Sequence, residues 1–512
     1  MVCLLAQALR VARGWGRPAA CSLVAIGLTS LAPGQELQYE FDALRQRTEL
    51  GAATMSAIAI DADSGQVLWS HRAGEAMIPA SNMKLLTSGA ALMVLGPEFS
   101  FETRLEEAEG RLVLVGSGDP SLGDPAVLGR GQTPMTLQDL LGGLVKAVQE
   151  RGISQVEEVV VDDRVFDRAY AHPTWPADQL NRSYCAEVGG VNLHANVLSV
   201  FLEPGSGGRG LPRVKVEPEV PWVQIDNFAR TVTDTRQTAW VARPTAENRF
   251  QIRGDVRSRG GEPVDVAFHE PPLLAGRVIA HELSKAGIRI GTAGGAEGID
   301  AVRLIDDDEQ ITGSQPIVVV RTSIADVLRQ CNTDSHNLYA EALLKRVAYD
   351  VNHEPGSWES GAAVVRMLLS EKLGPAAASG TKVADGSGMS RENKVSASTL
   401  ASWLRVIEND EKIRGAMLAS LATPGNGTLR SRFNDITLSN ELYAKSGYLN
   451  GVRSLSGYVV SPSGKTVIFA MILNDVPAGA PTQNARVLLE RCVDVADNWL
   501  AAQQGGSVNL GG

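Results

Sequence analysis

A mixed α/β fold interrupted by a long β-rich insert is the fold class that the sequence predicts, and three observations support it. Apolar segments near the front of the chain, at residues 55–60 and 66–70, have the pattern of paired strands. Strand patterns return at residues 454–460 and 465–473, after a run of helical segments. Between them, residues 99–315 alternate short apolar strands with loops rich in Gly and Pro. We therefore expect the front and back strands to share one sheet.

The domain limits follow from the same patterns. A chain of 512 residues exceeds one ordinary domain. Residues 35–98 and 316–502 are predicted to form the two parts of a catalytic domain, and residues 99–315 a β-rich insert of two parts. The Gly-rich residues 503–512 are predicted to be a disordered tail.

The first residues have the pattern of a secretory signal. Three arginines precede an apolar run, residues 19–32, which is shorter than the roughly 20 residues that a membrane-spanning helix needs. Small residues at Ala32 and Gly34 precede a possible cleavage site at Gln35. Residues 1–34 are therefore predicted to be a cleaved signal peptide, and a short membrane anchor or a wrongly assigned start codon are the alternatives.

Composition limits the class of protein. An apolar content of 44% and a charged content of 21% are typical of a folded globular protein. The net charge of −10 argues against a nucleic-acid partner, which would require a basic surface. No metal or cofactor is predicted, because no histidine pair forms an H-E-x-x-H pattern and no phosphate-binding loop occurs. Outside the predicted signal peptide there are three cysteines, Cys185, Cys331 and Cys492. They allow one disulfide bond, but the sequence does not say which two would form it.

The front half begins with a predicted hairpin, in which the turn DADSG at residues 61–65 joins the first two strands. A helix is predicted over residues 81–95, where Gly96 and Pro97 end it. The insert is predicted to contain strands at 112–115 and 156–161, helices at 137–150 and 274–286, and a loop at 203–213.

The back half is predicted to be helical before its last strands. The helices are expected at residues 324–330, 335–349, 359–373 and 398–408. One strand is expected near Tyr443, and the turn SPSG at residues 461–464 joins the next two. An amphipathic helix over residues 483–500 is expected to end the fold.

Ser81 and Lys84 form an S-x-x-K motif at a predicted helix start. A spacing of three places the hydroxyl and the amine on one helix face, and the helix N-terminus favours a developing anionic oxygen. A lysine can activate a serine as its general base when burial lowers the lysine pKa toward neutral. Taken alone, the motif more often marks an N-cap serine beside a surface lysine.

Two further motifs follow in order. Ser335 and Asn337 form S-x-N at another predicted helix start, where the hydroxyl could relay a proton to a leaving amine and the amide could hold a substrate carbonyl. An ordinary N-cap serine is the alternative. Lys445, Ser446 and Gly447 lie on a predicted strand. Their ammonium and hydroxyl suit a terminal carboxylate, and the glycine lets a substrate backbone approach. A hairpin turn is the alternative there.

The ordered trio is far more specific than any one of its motifs, since it is typical of β-lactamases and penicillin-binding enzymes. The chain resembles the penicillin-binding protein 4-like D-Ala-D-Ala carboxypeptidase/endopeptidase family, peptidase family S13, over nearly the whole mature length. The long gap between Ser81 and Ser335 supports the resemblance, and Ser446 departs from it because threonine is commoner there. Further support comes from residues 79–84 (PASNMK), 118–122 (GDPSL), 162–167 (DDRVFD), 385–391 (DGSGMSR) and 427–429 (GTL).

The resemblance implies an α+β, penicillin-recognising fold like that of β-lactamases and transpeptidases, with two extra domains between the first two motifs. It implies that Ser81 is acylated, that Lys84 is its general base and that Ser335 shuttles a proton. The remaining implied roles are peptide-carbonyl binding by Asn337, carboxylate binding by Lys445 and Ser446 beside Gly447, and an oxyanion hole from the N–H groups of Ser81 and Tyr448.

The resemblance also implies an acidic residue of the insert near the amine of the substrate side chain. Asp162 and Asp163 are the candidates. An acidic turn after the strand at residues 156–161 is an equally good interpretation.

The expected function is that of a serine DD-carboxypeptidase, or also a DD-endopeptidase, that acts through an acyl-enzyme on Ser81 in the periplasm or outside the cell. The expected partners are peptidoglycan stem peptides, with β-lactam antibiotics as covalent inhibitors. We expect no nucleic acid and no transmembrane span in the mature chain, and the oligomeric state is open. A β-lactamase and a non-catalytic cell-wall-binding protein are the alternatives.

Overall fold

The computed structural model describes residues 33–505 except 131–132, 235–236, 245–246, 259–261 and 293. The predicted signal peptide, residues 1–34, lies almost wholly outside these residues. The predicted tail, residues 503–512, lies mostly outside them, although the last helix continues into its first residues.

The described residues contain twelve α-helices, besides short 3-10 turns. They are α1 Pro33–Arg47, α2 Met83–Leu95, α3 Pro125–Leu128, α4 Leu137–Glu150, α5 Pro271–Lys285, α6 Ile324–Asn332, α7 Asn337–Asn352, α8 Trp358–Leu373, α9 Pro375–Ser379, α10 Ala397–Glu408, α11 Arg414–Ser420 and α12 Ala480–Gly505. Within the described residues, no helix combines the length and apolar character that crossing a membrane requires.

The same residues contain twenty-two strands. They are β1 Thr54–Asp61, β2 Val67–His71, β3 Ala76–Met77, β4 Ser100–Ala108, β5 Arg111–Val115, β6 Gln155–Val156, β7 Val159–Asp162, β8 Val197–Glu203, β9 Arg213–Glu217, β10 Gln224–Asn227, β11 Arg230–Thr231, β12 Trp240–Ala242, β13 Arg249–Arg253, β14 Asp255–Val256, β15 Val264–Ala267, β16 Arg289–Ile290, β17 Val302–Leu304, β18 Gln315–Ser323, β19 Val395–Ser396, β20 Glu441–Leu449, β21 Val452–Val460 and β22 Thr466–Asn474.

A five-stranded antiparallel sheet joins the two ends of the chain, in the order β2-β1-β22-β21-β20. β1 lies beside β22 with Ala57 opposite Met471, which confirms that the front and back strands share one sheet. Side chains alternate between its faces. Ile58 belongs to the core that includes α2, α7, α8 and α10. Ala57 belongs to the core that includes α1 and α12. The sheet is therefore buried on both faces.

The insert is built around a second five-stranded sheet, in the order β17-β7-β5-β4-β18. Its apolar core includes residues of α4 and α5, and the smaller sheets of the region include β15-β8-β9 and β10-β13-β12. The insert therefore mixes strands with two long helices, both of which the sequence predicts.

The strand β18 runs through the predicted boundary at residue 316. β18 pairs antiparallel with β4, with Ser323 opposite Ser100. The chain thus leaves the catalytic region along β4 and returns to it along β18. Residues 316–323 thus lie in the sheet of the insert. The boundary at residue 316 was predicted from the helical periodicity that returns further along the chain. The domain limits themselves stay predictions.

The helix α1 and the strands β6 and β7 also differ from the elements that the sequence predicts. The helix α1 begins at Pro33, within the predicted signal peptide of residues 1–34, and was not among the predicted helices. The predicted strand at residues 156–161 is divided into β6 and β7, which pair with different partners, β16 and β17. The three cysteines Cys185, Cys331 and Cys492 are free and buried.

Candidate active site

Ser81 and Lys84 lie where a 3-10 turn, Ala80–Asn82, passes into α2. Ala80 takes a left-handed backbone conformation, with φ of 48°, and is fully buried. The Lys84 Nζ atom lies 3.2 Å from the Ser81 Oγ atom. The spacing of three residues therefore brings the hydroxyl and the amine into hydrogen-bond contact, as the sequence predicts.

The Lys84 amine is buried among hydrogen-bond acceptors. It donates to Asn337 Oδ1 at 2.7 Å and to the main-chain oxygen of Ser387 at 3.0 Å. Burial lowers the pKa of Lys84 to about 8, although the nearby carboxyl groups of Glu341 and Asp385 act in the opposite direction. A substantial fraction of this lysine is therefore neutral near physiological pH and able to accept a proton.

Ser335 and Asn337 lie at the start of α7. The helix begins at Asn337, so Ser335 precedes it and takes a left-handed backbone conformation with φ of 62°. The Asn337 side chain uses both ends of its amide, since Nδ2 donates to the main-chain oxygen of Tyr184 at 2.8 Å while Oδ1 accepts from Lys84. These contacts fix the orientation of the Asn337 amide.

Lys445 lies on β20 and is fully buried. It donates to Ser335 Oγ and to the main-chain oxygen of Ser446, both at 2.8 Å. Burial, followed by repulsion from Lys84, lowers the pKa of Lys445 well below its ordinary value. The second and third motifs therefore meet through a direct hydrogen bond.

Gly447 lies against the turn that carries Ser81. A Cβ atom at Gly447 would lie 2.1 Å from Ser454 Oγ, 2.9 Å from the Pro79 main-chain oxygen and 3.1 Å from the Ser81 nitrogen. Only a glycine lets β20 pass this close to the turn. The three motifs, remote in sequence, therefore converge in space.

The next residue along β20, Tyr448, turns outward. Its side chain is 69% exposed, and the Arg453 guanidinium lies 3.9 Å from the centre of its ring. A cavity of about 860 Å³ opens beside Ser335 and Asn337 and extends to insert residues that include Tyr184. Of the three motifs, this cavity is lined by the second one, and its volume exceeds that of a single amino acid.

Asp162 and Asp163 are held by local partners. The Asp162 carboxylate pairs with Arg164 at 2.7 Å. The Asp163 side chain is 1% exposed and pairs with Arg168 at 2.8 Å, with Tyr170 donating a further bond. None of these partners belongs to the three motifs. The assignment of either residue to substrate recognition stays a prediction, and the observed ion pairs favour a structural role.

Two buried carboxyl groups outside the three motifs, those of Glu341 and Asp385, also belong to the site. Glu341 is fully buried and accepts from the main-chain nitrogens of Gly386 and Ser387 at 2.8 and 2.9 Å. Asp385, also buried, accepts from the main-chain nitrogen of Gly388 at 2.9 Å. The sequence signals were the DGSG segment and the spacing of four between Asn337 and Glu341, which places both on one face of α7.

One group of possible metal ligands occurs among the described residues, away from the three motifs. Ligand atoms of Glu219, His281 and Glu282 lie within 4.8 Å of one another. The Lys285 ammonium already binds both carboxylates, at 2.8 and 3.0 Å. A side-chain cation therefore supplies the positive charge there.

Comparisons with known proteins identify related sequences. The sequence profile of the "D-Ala-D-Ala carboxypeptidase 3 (S13) family" matches residues 37–493. A D-alanyl-D-alanine carboxypeptidase of an Actinomadura species is 29% identical over 476 residues, covering 87% of this chain and 82% of that protein. The D-alanyl-D-alanine carboxypeptidase DacB of Haemophilus influenzae is 25% identical over 441 residues, covering 82% of this chain and 85% of that protein.

Solved structures share the fold. Penicillin binding protein 4 of Haemophilus influenzae superposes with a TM-score of 0.68 at 22% identity, covering 88% of this chain and 98% of that chain. The same protein in complex with a β-lactam gives a TM-score of 0.66 at 24% identity, covering 89% and 99% of the two chains. The predicted penicillin-recognising fold is confirmed.

We expect Gly447→Ala to destabilise the site, by about 1–3 kcal/mol. The added methyl group would overlap Ser454 Oγ, which donates to the Pro79 main-chain oxygen and cannot move without losing that bond. Chemical denaturation measures the change. Gly142→Ala is the matched control, because a Cβ atom there meets no atom within 4 Å on α4. The control should be neutral or stabilising, and equal stability of the two variants would contradict the proposed close approach.

Proposed function

The chain belongs to the D-Ala-D-Ala carboxypeptidase 3 (S13) family and is a serine-type carboxypeptidase, and we propose that it hydrolyses D-Ala-D-Ala peptides through an acyl-enzyme on Ser81. One observation supports this role above all: Ser81 Oγ lies 3.2 Å from a buried lysine whose pKa is lowered to about 8. A serine hydroxyl is a weak nucleophile, and a neutral amine at this distance can activate it.

In the acylation step, neutral Lys84 takes the proton of the Ser81 hydroxyl as the oxygen attacks the carbonyl carbon of the penultimate D-Ala. The N–H groups of Ser81 and Tyr448 stabilise the negative oxygen of the tetrahedral intermediate. The C–N bond then breaks as Ser335 donates its hydroxyl proton to the leaving amine and takes up in turn the proton that Lys84 received from Ser81, so that Lys84 is neutral again for the second step. Water hydrolyses the ester in a second tetrahedral step, which regenerates the Ser81 hydroxyl.

The substrate is oriented by the other two motifs. Asn337 holds a peptide carbonyl through the second N–H of its Nδ2 group, since the first donates to the Tyr184 oxygen and Oδ1 accepts from Lys84. Lys445 and Ser446 bind the terminal carboxylate beside Gly447. A bound carboxylate favours the charged form of Lys445, which offsets the burial that lowers the pKa of this lysine in the free site.

A DD-endopeptidase activity on cross-linked peptides is the second candidate function. The cavity of about 860 Å³ beside Ser335 supports it, because Ser335 lies next to the leaving amine in the proposed mechanism. A leaving D-Ala would fill only a small part of this volume, whereas a second stem peptide would use more of it.

The proposed location is the periplasm or the cell exterior, where peptidoglycan stem peptides are accessible. The signal pattern of residues 1–34 supports export. β-Lactam antibiotics are proposed as covalent inhibitors that acylate Ser81, since they present a reactive amide to the same nucleophile. Rapid turnover of penicillin, in place of a stable adduct, would favour the β-lactamase alternative.

Ser81→Ala should abolish covalent labelling by fluorescent penicillin and lower D-Ala release by at least about a thousandfold. Loss of the hydroxyl removes the attacking atom while leaving the fold intact. Labelled protein on a denaturing gel and released D-Ala are the measurements. Ser88→Ala, at a buried serine on the same helix, should retain labelling. Undiminished labelling of Ser81→Ala would exclude Ser81 as the nucleophile.

The acylation rate should rise with pH and level off above about 8, the value to which burial lowers the pKa of Lys84. Only the neutral amine accepts the Ser81 proton, so each unit of pH below that value costs about tenfold in rate. Labelling rates between pH 6 and 9.5 test this, with thermal melting at each pH as the control for folding. A flat profile, or a midpoint near the ordinary lysine value of about 10.4, would contradict the role of Lys84.

If the cavity accepts a second peptide, then Ala126→Trp should lower cleavage of a cross-linked muropeptide dimer more than D-Ala release from a monomer. Ala126 is an exposed residue that lines the cavity, and the larger ring would narrow it. Chromatography of the products measures both reactions. Ala376→Trp, at an exposed residue away from this cavity, is the control. Equal effects of Ala126→Trp on both substrates would argue against an endopeptidase role for the cavity.

A further inference from the structure

Glu341 is a buried carboxyl group for which the proposed mechanism has no use. It lies on α7, four residues after Asn337, and is 0% exposed. Charged side chains are almost never fully buried unless partners compensate them, because removal from water is costly. The position of Glu341 beside the reacting groups therefore requires an explanation.

All three hydrogen-bond partners of Glu341 are N–H donors. Oε1 accepts from the Ser387 main-chain nitrogen at 2.9 Å, and Oε2 accepts from the Gly386 nitrogen and from Trp358 Nε1, both at 2.8 Å. A carboxylate accepts at both oxygens, whereas a glutamine side chain would point an NH₂ group at one set of donors. The three N–H donors thus suit an ionised glutamate side chain and not a glutamine side chain.

The same loop contacts the general base. The nitrogen of Ser387 donates to Glu341, and the main-chain oxygen of Ser387 accepts from Lys84 Nζ at 3.0 Å. Thr87 Oγ1 donates to the Gly386 oxygen at 2.8 Å and holds the loop from the α2 side. Glu341 thus binds the loop directly at Ser387, the residue whose oxygen accepts from Lys84, while Thr87 holds the loop at Gly386.

The Lys84 amine has three partners, of which Asn337 Oδ1 and the Ser387 oxygen can only accept. A neutral amine has two N–H groups and one lone pair. When these two acceptors bind the two N–H groups, the lone pair is left for the third partner, the Ser81 hydroxyl at 3.2 Å. After proton transfer, the ammonium donates to all three oxygens, so no group has to reorient.

We infer that Glu341 is a positioning residue that holds the Ser387 carbonyl on Lys84, and so directs the lone pair of the general base at Ser81. Its negative charge has a second consequence, because it favours the ammonium form of Lys84 after proton transfer. Burial, together with the nearby Asp385, raises the pKa of Glu341 itself to about 7. The inference rests on the proposed function, since it assumes that Lys84 activates Ser81.

Other ionisable groups face the pair formed by Lys84 and Glu341 from each neighbouring element. They are Cys331 on α6, His336 before α7, Lys345 on α7, Asp385 in the loop and Lys445 on β20. All of them are present in every variant of Glu341, and the charge of Glu341 also raises the pKa of Cys331 and of Lys345. A change in the pH profile therefore reports the loss of this charge from the whole group.

The test measures acylation by fluorescent penicillin as a function of pH for the wild type, Glu341→Gln and Glu341→Asp. Rates are expressed per active site, titrated by the labelling amplitude, so that only folded molecules count. Glu341→Gln should lower the maximal rate roughly tenfold or more, because the lone pair is no longer directed at Ser81. The midpoint should also move to lower pH, because loss of the negative charge lowers the pKa of Lys84.

Glu341→Asp distinguishes the effect of the negative charge from the effect of the side-chain length. It keeps the carboxylate but is one methylene shorter, so it should lower the maximal rate while its midpoint stays near that of the wild type. If Glu341→Gln does not fold, Glu341→Asp still decides the positioning role. A wild-type maximal rate in Glu341→Asp would overturn it, and so would an unchanged rate and profile in a folded Glu341→Gln.

Asp497→Asn is the matched control for the loss of a buried carboxylate. Asp497 lies on α12, is 0% exposed and accepts from two consecutive main-chain nitrogens, those of Ser439 and Asn440, at 2.7 and 2.9 Å. This variant should melt at a lower temperature with the pH profile unchanged.

Labelling of the wild type but not of Ser81→Ala tests the proposed function separately. If that labelling succeeds and Glu341→Gln keeps the wild-type profile, only the role of Glu341 fails.

Discussion

Two lysines without access to water, Lys84 and Lys445, set the constraint on which the site depends. Both are 0% exposed, and burial is the main cause that lowers the pKa of each amine. An amine in this position is stable only if neighbouring atoms accept its hydrogen bonds, and the protein supplies two serine hydroxyl oxygens, an amide oxygen and two main-chain oxygens. The acceptors on Asn337, Ser387 and Ser335 come from distant parts of the chain, so the chemistry of the two amines requires the tertiary structure.

The fold meets this requirement by bringing three segments together at the edge of the five-stranded sheet. The edge strand β20 carries Lys445, the turn before α2 carries Ser81, and the start of α7 carries Asn337. Glycines allow the close approach. Gly447 faces the turn at Ser81, and a Cβ atom at Gly388 would lie 1.8 Å from the Ala80 oxygen. Larger residues at either point would separate the segments, so these contacts are as essential to the site as its charged groups.

Much of this organisation could be predicted because its signals are local. The S-x-x-K spacing defines one helix face, and strand alternation defines the hairpin of β1 and β2 and the late strands. Other features could not be predicted in this way. The pairing of β18 with β4 depends on two segments more than 200 residues apart, and its sequence gives no sign of its partner. Likewise, an acidic residue such as Glu341 would be expected on the solvated face of its helix until the loop that it binds is known.

The family, the three motifs, the shared sheet of front and back strands and most helices could be predicted from the sequence, because each depends on short-range pattern or ordered motif spacing. Which groups touch depends on the tertiary structure. It placed Asn337 and the Ser387 oxygen on Lys84, Ser335 on Lys445, and Asp163 in an ion pair with Arg168. The physical reason is that the pKa and the direction of a side chain depend on burial and on neighbouring atoms, and these neighbours are remote in the chain.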